Sequence, residues 1–151
     1  MLRHRFNWKR LSMSAALAYG HDRTEAPIIV QTRPGAYHDD SLIEFLQALH
    51  HELDGAKVTL IWDGLPSHRS RTMGAFITTQ RRWLVVERLP GYAPDLNPVE
   101  GLWGNSKGTE LANLCADGID EPARAAHAGI DRVRAETQLA FAFLRHCGLS
   151  L

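Results

Sequence analysis

Alternation of larger apolar and small residues near the start of the chain predicts a β-hairpin. The first strand is expected over residues 10–19, where larger side chains recur at every second position: Leu11, Met13, Ala15, Leu17 and Tyr19. A second strand is expected over residues 27–32, after a turn over residues 20–25. Since only that turn separates the two strands, we expect them to pair in antiparallel fashion.

A helical period replaces this alternation after the turn signal of residues 33–35. Ser41 is the predicted N-cap of the helix, and Glu44, three residues later, completes a capping box. Gly55 follows the last apolar position and predicts the end of the helix. Between these limits the apolar residues fall at helical spacing: Leu42, Phe45, Leu46, Leu49 and Leu53.

Two short apolar runs further along the chain predict strands of a buried sheet. Residues 57–62 form a nearly continuous apolar run, which is typical of a strand that is buried on both faces. Residues 83–86 predict another buried strand. Between the two strands we expect a helix over about residues 68–80, burying Met73, Phe76 and Ile77.

The last third of the chain predicts helices. Asn97 is the expected N-cap of one helix and Pro98 its first residue. One or two further helices are expected over residues 120–146, with Asp120 as a cap and Pro122 in the first turn. This order of elements predicts an α/β layered domain, whose mixed sheet combines the antiparallel hairpin with parallel later strands and is flanked by helices.

Composition and charge change this picture little. The 151 residues suffice for one domain with a core, and 44% apolar and 23% charged residues are ordinary for a globular protein. The 17 basic and 17 acidic residues cancel, so bulk charge gives no support to nucleic-acid binding. Basic residues cluster at two places, which are either solvated faces or binding surfaces: Arg3, Arg5, Lys9 and Arg10, then Arg69, Arg71, Arg81 and Arg82.

The two cysteines and the apolar runs indicate a cytoplasmic protein. Cys115 and Cys147 have neither the spacing of a metal site nor that of a disulfide framework, which is typical of a reducing compartment. The basic and then apolar N-terminus imitates a signal peptide, but Ser12 and Ser14 interrupt its apolar run. No run reaches the roughly 18 apolar residues of a membrane span, so we expect no membrane partner.

Two carboxylates lie at positions where functional residues are expected in an α/β fold. Asp63 follows the strand over residues 57–62, and functional groups gather at the carboxyl ends of strands in open α/β sheets. Glu100 falls in the first turn of the helix that begins at Pro98, and the loop before it can bring it to the same edge. Carboxylates suit Mg²⁺ or Mn²⁺, and two such ions about 4 Å apart can activate an attacking oxygen and stabilise a leaving one on a phosphodiester.

Each of these residues also has a structural interpretation, and spacing alone does not decide between the two. Asp63, next to a glycine, can be a turn residue, and Glu100 can close a capping box with Asn97. His68 can be a cap or a surface histidine with satisfied hydrogen bonds, and Trp103 can belong to the core.

The residues around the two carboxylates resemble a known family. Residues 62–68 read WDGLPSH, and residues 89–100 read LPGYAPDLNPVE, with Trp103 and Lys107 following. This pattern resembles the catalytic core of insertion-sequence transposases of the mariner superfamily, which are DDE superfamily endonucleases. The similarity extends from residues 3–19 to residues 143–146, over essentially the whole chain.

The resemblance implies a ribonuclease H-like fold and a set of functional residues. Asp63 would be the second and Glu100 the third catalytic carboxylate, and together they would hold Mg²⁺ or Mn²⁺ in a two-metal site. The implied reaction is hydrolysis at transposon ends, followed by attack of the freed 3′-hydroxyl on target DNA. His68 matches the motif without an assigned role, while Asn97 and Pro98 would shape the loop and the helix start.

The chain departs from the family at its beginning. The family's first catalytic Asp lies on a strand before the stretch that starts here at Leu2, and a DNA-binding helix-turn-helix lies further upstream. We therefore interpret residues 1–151 as a partial, N-terminally truncated catalytic domain that lacks the usual first strand. Asp22, Asp39 and Asp40 are expected in a turn and at a helix start, so none of them is placed to substitute for the missing Asp.

Three functions follow from these considerations. The first is the catalytic domain of a DDE transposase that is inactive alone, either as a remnant or as a frameshift product completed by an upstream-encoded segment. The second is a non-catalytic module that binds DNA or other subunits and modulates an intact transposase. The third is an unrelated metal-dependent phosphoesterase built on Asp63, His68 and Glu100.

Overall fold

The computed structural model describes residues 11–91, 93–110 and 119–150 of the chain. Along these ranges the chain alternates strands with helices in the predicted order: β1 (Leu11–Leu17), β2 (Ile28–Pro34), α1 (Asp39–Glu52), β3 (Val58–Trp62), α2 (Arg71–Thr79), β4 (Leu84–Arg88), α3 (Pro98–Thr109), α4 (Asp120–Ala135) and α5 (Thr137–His146). Short 3₁₀ helices precede α2 and α3, at Pro66–Arg69 and Pro94–Leu96. Several residues singled out in the sequence lie outside the described ranges: Arg3, Arg5, Lys9, Arg10, Tyr92 and Cys115.

The strands form one antiparallel and one parallel pair. In the first pair β1 and β2 run antiparallel, with Leu17 opposite Ile28, as the hairpin pattern predicts. In the second pair β3 and β4 run parallel, with Val58 opposite Leu84. The expected single mixed sheet is replaced, in the residues that the structure describes, by these two separate two-stranded sheets.

Both outer edges of each pair lack a partner strand in the described ranges, the edges of β1 and β3 among them. Ala18 donates its backbone N–H to the carbonyl oxygen of Pro27 at 2.9 Å, so the even-numbered residues of β1 bond to β2. The backbone groups of odd-numbered residues such as Ala15 therefore point away from β2. Val58 likewise donates to the carbonyl oxygen of Trp83, so the backbone of Ile61 points away from β4.

The antiparallel pair lies between two hydrophobic clusters. Successive strand residues point to opposite faces, so neighbours in β2 belong to different clusters. Ile28 packs with buried residues of the layer formed by α3, α4 and α5, which include Leu102 and Ile130. Ile29 packs with residues of α1 and α2, including Leu46 and Met73. Both faces of β1 and β2 are thus covered by helices.

The parallel pair is covered on one face only, which corrects the prediction that residues 57–62 are buried on both faces. Trp62 and Leu84 are buried against α1 and α2. On the opposite face Ile61 is 51% exposed and Val85 is 53% exposed. The physical reason is that α3, α4 and α5 pack on the antiparallel pair and leave this face uncovered in the described part of the chain.

The start of α1 differs from the sequence prediction. The helix begins at Asp39, two residues before the expected N-cap Ser41. Ser41 is the third helical residue, and its hydroxyl accepts the backbone N–H of His38 at 2.7 Å and donates to the His38 carbonyl at 2.8 Å. Glu44 is therefore free of a capping role and forms an ion pair with Arg33 at 3.6 Å.

The other helix ends mostly follow their sequence signals. Gly55 has a φ of +74°, as expected for a glycine just past a helix end, and Asn97 caps α3 with Pro98 as the first residue. Asp120 is the first residue of α4 rather than its cap. None of the helices in the described ranges is long and apolar enough to cross a membrane.

Candidate functional site

Asp63 begins the loop at the carboxyl end of β3. Its Oδ1 accepts the backbone N–H of Leu65 at 3.2 Å, which is the Asx-turn interaction of a turn-forming aspartate. The structural interpretation of Asp63 as a turn residue is therefore confirmed. The side chain is nevertheless 45% exposed, and Oδ2 has no hydrogen-bond partner among the described residues. Oδ1 stabilises the turn of the loop, and Oδ2 is available to a ligand.

His68 contacts Asp63 directly. It lies in the 3₁₀ helix that follows the loop, and its Nδ1 is 2.9 Å from Asp63 Oδ1 and 3.1 Å from the Asp63 carbonyl oxygen. The ring stacks on Trp62, with a centroid separation of 4.2 Å and an interplanar angle of 4°. His68 is thus a partnered histidine with a side chain that is 13% exposed.

Glu100 is the third residue of α3. The helix is capped by Asn97, whose Oδ1 accepts the backbone N–H of Val99 at 3.2 Å. The Glu100 carboxylate makes no hydrogen bond with any described residue, so the alternative capping box with Asn97 does not form. The side chain is exposed.

The loop after β4 connects the two carboxylates. Leu89 donates its backbone N–H to the carbonyl oxygen of Trp62 at 2.9 Å, so this loop starts beside Asp63 at the carboxyl ends of both strands. At its far end, Gly101 lies so close to Phe143 of α5 that an added Cβ would be 2.8 Å from the ring. The start of α3, which carries Glu100, is therefore anchored on α5.

The donor set suits a hard divalent cation in kind but is too small for a complete site. Carboxylate oxygens are the ligands that Mg²⁺ and Mn²⁺ prefer, and Asp63 and Glu100 both have available oxygens. In residues 11–91, 93–110 and 119–150, however, no group of three or more His, Cys, Asp or Glu side chains is arranged to hold a metal ion.

The other aspartates do not fill this gap. Asp22 lies in the β1–β2 turn, where bonds from the Thr24 hydroxyl and backbone N–H lower the pKa of its carboxyl group. Asp39 and Asp40 lie in the first turn of α1. Asp22 thus lies in a turn, and Asp39 and Asp40 lie at a helix start, as the sequence predicts.

Exposed arginines surround α2, close to Asp63 in the chain. Arg69 and Arg71 lie at its start, and Arg81 and Arg82 follow its end. Trp103 is partly buried against the core formed with α5, so its interpretation as a core residue is confirmed. Sequence reasoning missed the contact between Asp63 and His68, although their spacing of five residues across a proline-containing turn was a usable signal.

Comparison with known proteins gives one family and one set of related structures. The family of DDE superfamily endonucleases matches residues 2–118. The crystal structure of the Mos1 mariner paired end complex with Mn shares 16% sequence identity with the chain, with a TM-score of 0.51. That match covers 88% of this chain and 54% of the other, so the chain spans about half the length of that protein. No curated protein matches the chain.

The crystal structure of the catalytic domain of Mos1 mariner transposase is also similar, with 17% identity, 99% of this chain and 87% of the other covered, and a TM-score of 0.48. At these identities the likeness concerns the fold. The similarity at a TM-score of 0.51 confirms the predicted α/β, ribonuclease H-like class.

Proposed function

The chain belongs to the DDE superfamily endonucleases, as its motifs predict, and from this premise we propose that it is part of the catalytic domain of an insertion-sequence transposase. The proposed reaction is metal-dependent cleavage of DNA at transposon ends, followed by strand transfer into target DNA. The proposed partners are therefore transposon-end and target DNA, and the proposed compartment is the cytoplasm. The similar Mos1 paired end complex contains Mn, which supports a divalent cation as the cofactor.

The placement of Asp63 and Glu100 carries this proposal. Asp63 directly follows a parallel strand and has one oxygen without a hydrogen-bond partner among the described residues, while Glu100 presents an exposed carboxylate in a first helical turn. The loop between them starts at the Asp63 edge of the sheet. We assign the two residues as catalytic carboxylates that hold Mg²⁺ or Mn²⁺, the ions that would activate the attacking oxygen and stabilise the leaving oxygen.

Residues 1–151 by themselves do not complete this site in our proposal. The described residues offer no third carboxylate beside Asp63 and Glu100. The edges of β1 and β3 each carry unpaired backbone groups in the described ranges, which supports a further strand that pairs with them. We propose that this strand and the first catalytic Asp come from an upstream-encoded segment or from an intact transposase.

Cleavage assays on DNA that carries the ends of the element test this function. With Mg²⁺ or Mn²⁺, the purified 151-residue chain should neither cut nor join this DNA, whereas addition of the upstream-encoded segment should produce cutting. Asp63→Asn and Glu100→Gln should each abolish that cutting. Asp54→Asn, at an exposed aspartate beyond the end of α1, is the matched control.

Two results would contradict the proposal in different ways. Cutting by the chain alone that Asp63→Asn abolishes would show that the 151 residues are self-sufficient. Equal cutting by wild type and both carboxylate variants would remove Asp63 and Glu100 from the chemistry. The upstream nucleotide sequence distinguishes a frameshift product from a degenerate remnant. A strand-coding stretch with an Asp in another reading frame favours frameshifting.

A second candidate is a non-catalytic module that binds DNA or subunits and modulates an intact transposase. The exposed arginines on both sides of α2 favour it: Arg69, Arg71, Arg81 and Arg82. Binding through phosphate contacts predicts that the logarithm of the association constant falls linearly with the logarithm of salt concentration. Arg81→Ala with Arg82→Ala should reduce that slope, whereas Arg124→Ala with Arg145→Ala, at exposed arginines of α4 and α5, should not. Salt-independent binding would exclude this candidate.

A further inference from the structure

The side chain of Arg134, near the end of α4, contacts the backbone of β2. Its Nε and Nη2 both donate to the carbonyl oxygen of Ile28, at 3.2 and 2.8 Å. Its Nη1 donates to Asp131 Oδ1, one turn earlier in α4, at 3.0 Å. The guanidinium is therefore bound to the first residue of the strand on one side and to its own helix on the other.

The carbonyl group of Ile28 lies on the edge of β2 that faces away from β1. Pro27 accepts the backbone N–H of Ala18, and residues that bond to the partner strand recur at every second position of an antiparallel pair. Odd-numbered residues of β2 therefore bond to β1. The even-numbered residues Ile28, Val30 and Thr32 direct their backbone N–H and carbonyl groups to the outer edge.

Arg134 occupies the position that a neighbouring strand would need. A strand that paired with this edge would place a backbone N–H about 2.9 Å from the Ile28 oxygen. Two nitrogens of the guanidinium already lie within 3.2 Å of that oxygen. An added strand must therefore displace Arg134 and break two hydrogen bonds from a charged group, which are stronger than the backbone bond that would replace them.

The packing of α4 fixes Arg134 in this position. Ile130 and Val133 of the same helix are completely buried, in the hydrophobic cluster that also contains the side chain of Ile28. The residue whose carbonyl group is bound thus also anchors the helix that carries Arg134. Because the Arg134 side chain is still 45% exposed, its charge stays hydrated while it binds the strand.

We propose that Arg134 blocks strand pairing at the outer edge of β2, and in particular pairing with β2 of a second copy of the chain. Charged side chains at edge strands are one way in which proteins prevent such association. The two edges of the antiparallel pair thus differ, because β2 is closed to another strand and β1 is open to one. The inference holds whether or not Asp63 and Glu100 act as catalytic carboxylates.

The pairing that Arg134 prevents is symmetric about Val30. An antiparallel pair of two β2 strands centred on Val30 brings all three outward residues of each copy into register. Ile28 of one copy then lies opposite Thr32 of the other, and its carbonyl oxygen would accept the Thr32 N–H. In each copy Arg134 occupies this oxygen, so neither end of the pair can close without displacing it.

Four variants separate the block from a general effect of charge or stability. Arg134→Met keeps most of the side-chain volume and removes both bonds to Ile28. Arg145→Met, at an exposed arginine of α5, makes the same change of charge and is the matched control. Thr32→Pro, combined with Arg134→Met, removes an N–H that faces away from β1, where an edge strand tolerates proline. Thr32→Ala, combined with Arg134→Met, keeps this N–H.

The readout is amide hydrogen exchange of Val30 at several protein concentrations, with sedimentation velocity to measure the size of each species. In wild type the exchange rate of Val30 should not depend on concentration. In Arg134→Met it should fall as concentration rises, with the association constant of the dimer raised at least about tenfold, because neither copy loses charged hydrogen bonds on pairing. Arg145→Met should behave like wild type. Thr32→Pro should restore the wild-type behaviour to Arg134→Met, whereas Thr32→Ala should not.

Three results would overturn the inference. The first is an exchange rate of Val30 with the same concentration dependence in wild type and in Arg134→Met. The second is association of Arg134→Met that Thr32→Pro leaves intact, because the copies would then meet through another surface, such as apolar side chains exposed by partial unfolding. The third is equal association of Arg134→Met and Arg145→Met, which would make the net charge responsible.

Discussion

The two strand pairs of this protein differ in how helices cover them. β1 and β2 have helices on both faces, whereas β3 and β4 have α1 and α2 on one face and exposed Ile61 and Val85 on the other. The candidate site lies at the end of the half-covered pair. The comparison shows that the proposed chemistry lies at the end of the strand pair with an open face, away from the layer of α3, α4 and α5.

The covered layer, formed by α3, α4 and α5 on the antiparallel pair, is stabilised by both packing and polar contacts. Leu102 and Ile130, in α3 and α4, are completely buried. Arg132 of α4 donates to both oxygens of Glu110, next to the end of α3, and to the side chain of Asn105. We expect substitutions in this layer to cost more stability than equivalent ones on the open face of the half-covered pair.

The largest expected effect is that of a cavity in the covered layer. Leu102→Ala should lower the free energy of unfolding by about 2–5 kcal/mol, because it removes methyl groups that neighbours cannot replace. Leu65→Ala makes the same change at a residue that is 52% exposed, in the Asp63 loop, and should cost under about 0.5 kcal/mol. Urea unfolding followed by circular dichroism measures both. Equal losses of unfolding free energy in the two variants would refute the difference in packing between the covered layer and the Asp63 loop.

A smaller effect is expected from overpacking between α3 and α4. A Cβ added at Gly129 would lie 2.7 Å from the Ser106 hydroxyl and 2.8 Å from Glu110 Oε2. Gly129→Ala should therefore destabilise the protein by about 1–3 kcal/mol. Gly104→Ala, on an open part of α3, should instead stabilise it by up to about 1 kcal/mol, since alanine favours helices. The midpoint temperature of thermal unfolding should fall in Gly129→Ala and rise in Gly104→Ala. A shift of the same sign in both variants would contradict close packing at Gly129.

The ion pair of the covered layer predicts a pH dependence. Hydrogen bonds from Arg132 lower the pKa of Glu110, so the pair stabilises the fold above the ordinary glutamate pKa of about 4.3. That contribution, at most about 1 kcal/mol for a partly exposed pair, is lost as pH falls and Glu110 becomes protonated. Urea unfolding should show a cost of Glu110→Gln at pH 7 that shrinks towards pH 3.

Glu87→Gln, at an exposed residue of β4, is the control for this experiment and should show no such change with pH. A cost of Glu110→Gln that stays constant between pH 7 and pH 3 would mean that the charge of Glu110 does not contribute through Arg132.

The smallest effect is expected on the open face of the parallel pair. Val85→Thr replaces an exposed methyl by a hydroxyl at a strand position and should change stability by less than about 0.5 kcal/mol. Val133→Thr, the same substitution at a completely buried residue of α4, should cost about 1–3 kcal/mol, because the hydroxyl loses its hydrogen bonds to water. Chemical denaturation measures the two costs. A large cost at Val85 would indicate that this face is covered in solution.

Local signals were sufficient for most elements of the fold. The alternating hairpin, the Gly55 helix end and the start of α3 at Pro98 were all predicted, because each depends on neighbours within a few residues. Ser41 was misplaced because its hydroxyl can serve the third helical position as well as the cap. Burial of residues 57–62 was misjudged because an apolar run does not reveal which faces the helices will cover.

For the candidate site the sequence determined the identities, and the tertiary structure determined the environments. Asp63 and Glu100 were singled out from a motif whose residues are close in sequence, and the family match agrees with that motif. Only the structure revealed that the Leu65 N–H binds one oxygen of Asp63, that the His68 ring lies 2.9 Å from the same oxygen, and that the site follows the half-covered strand pair. The motif specifies which chemical groups are present. The exposed face of the strand pair arises from packing between segments distant in the chain, whereas the stacking of His68 on Trp62 is a local contact that the residue pattern does not specify.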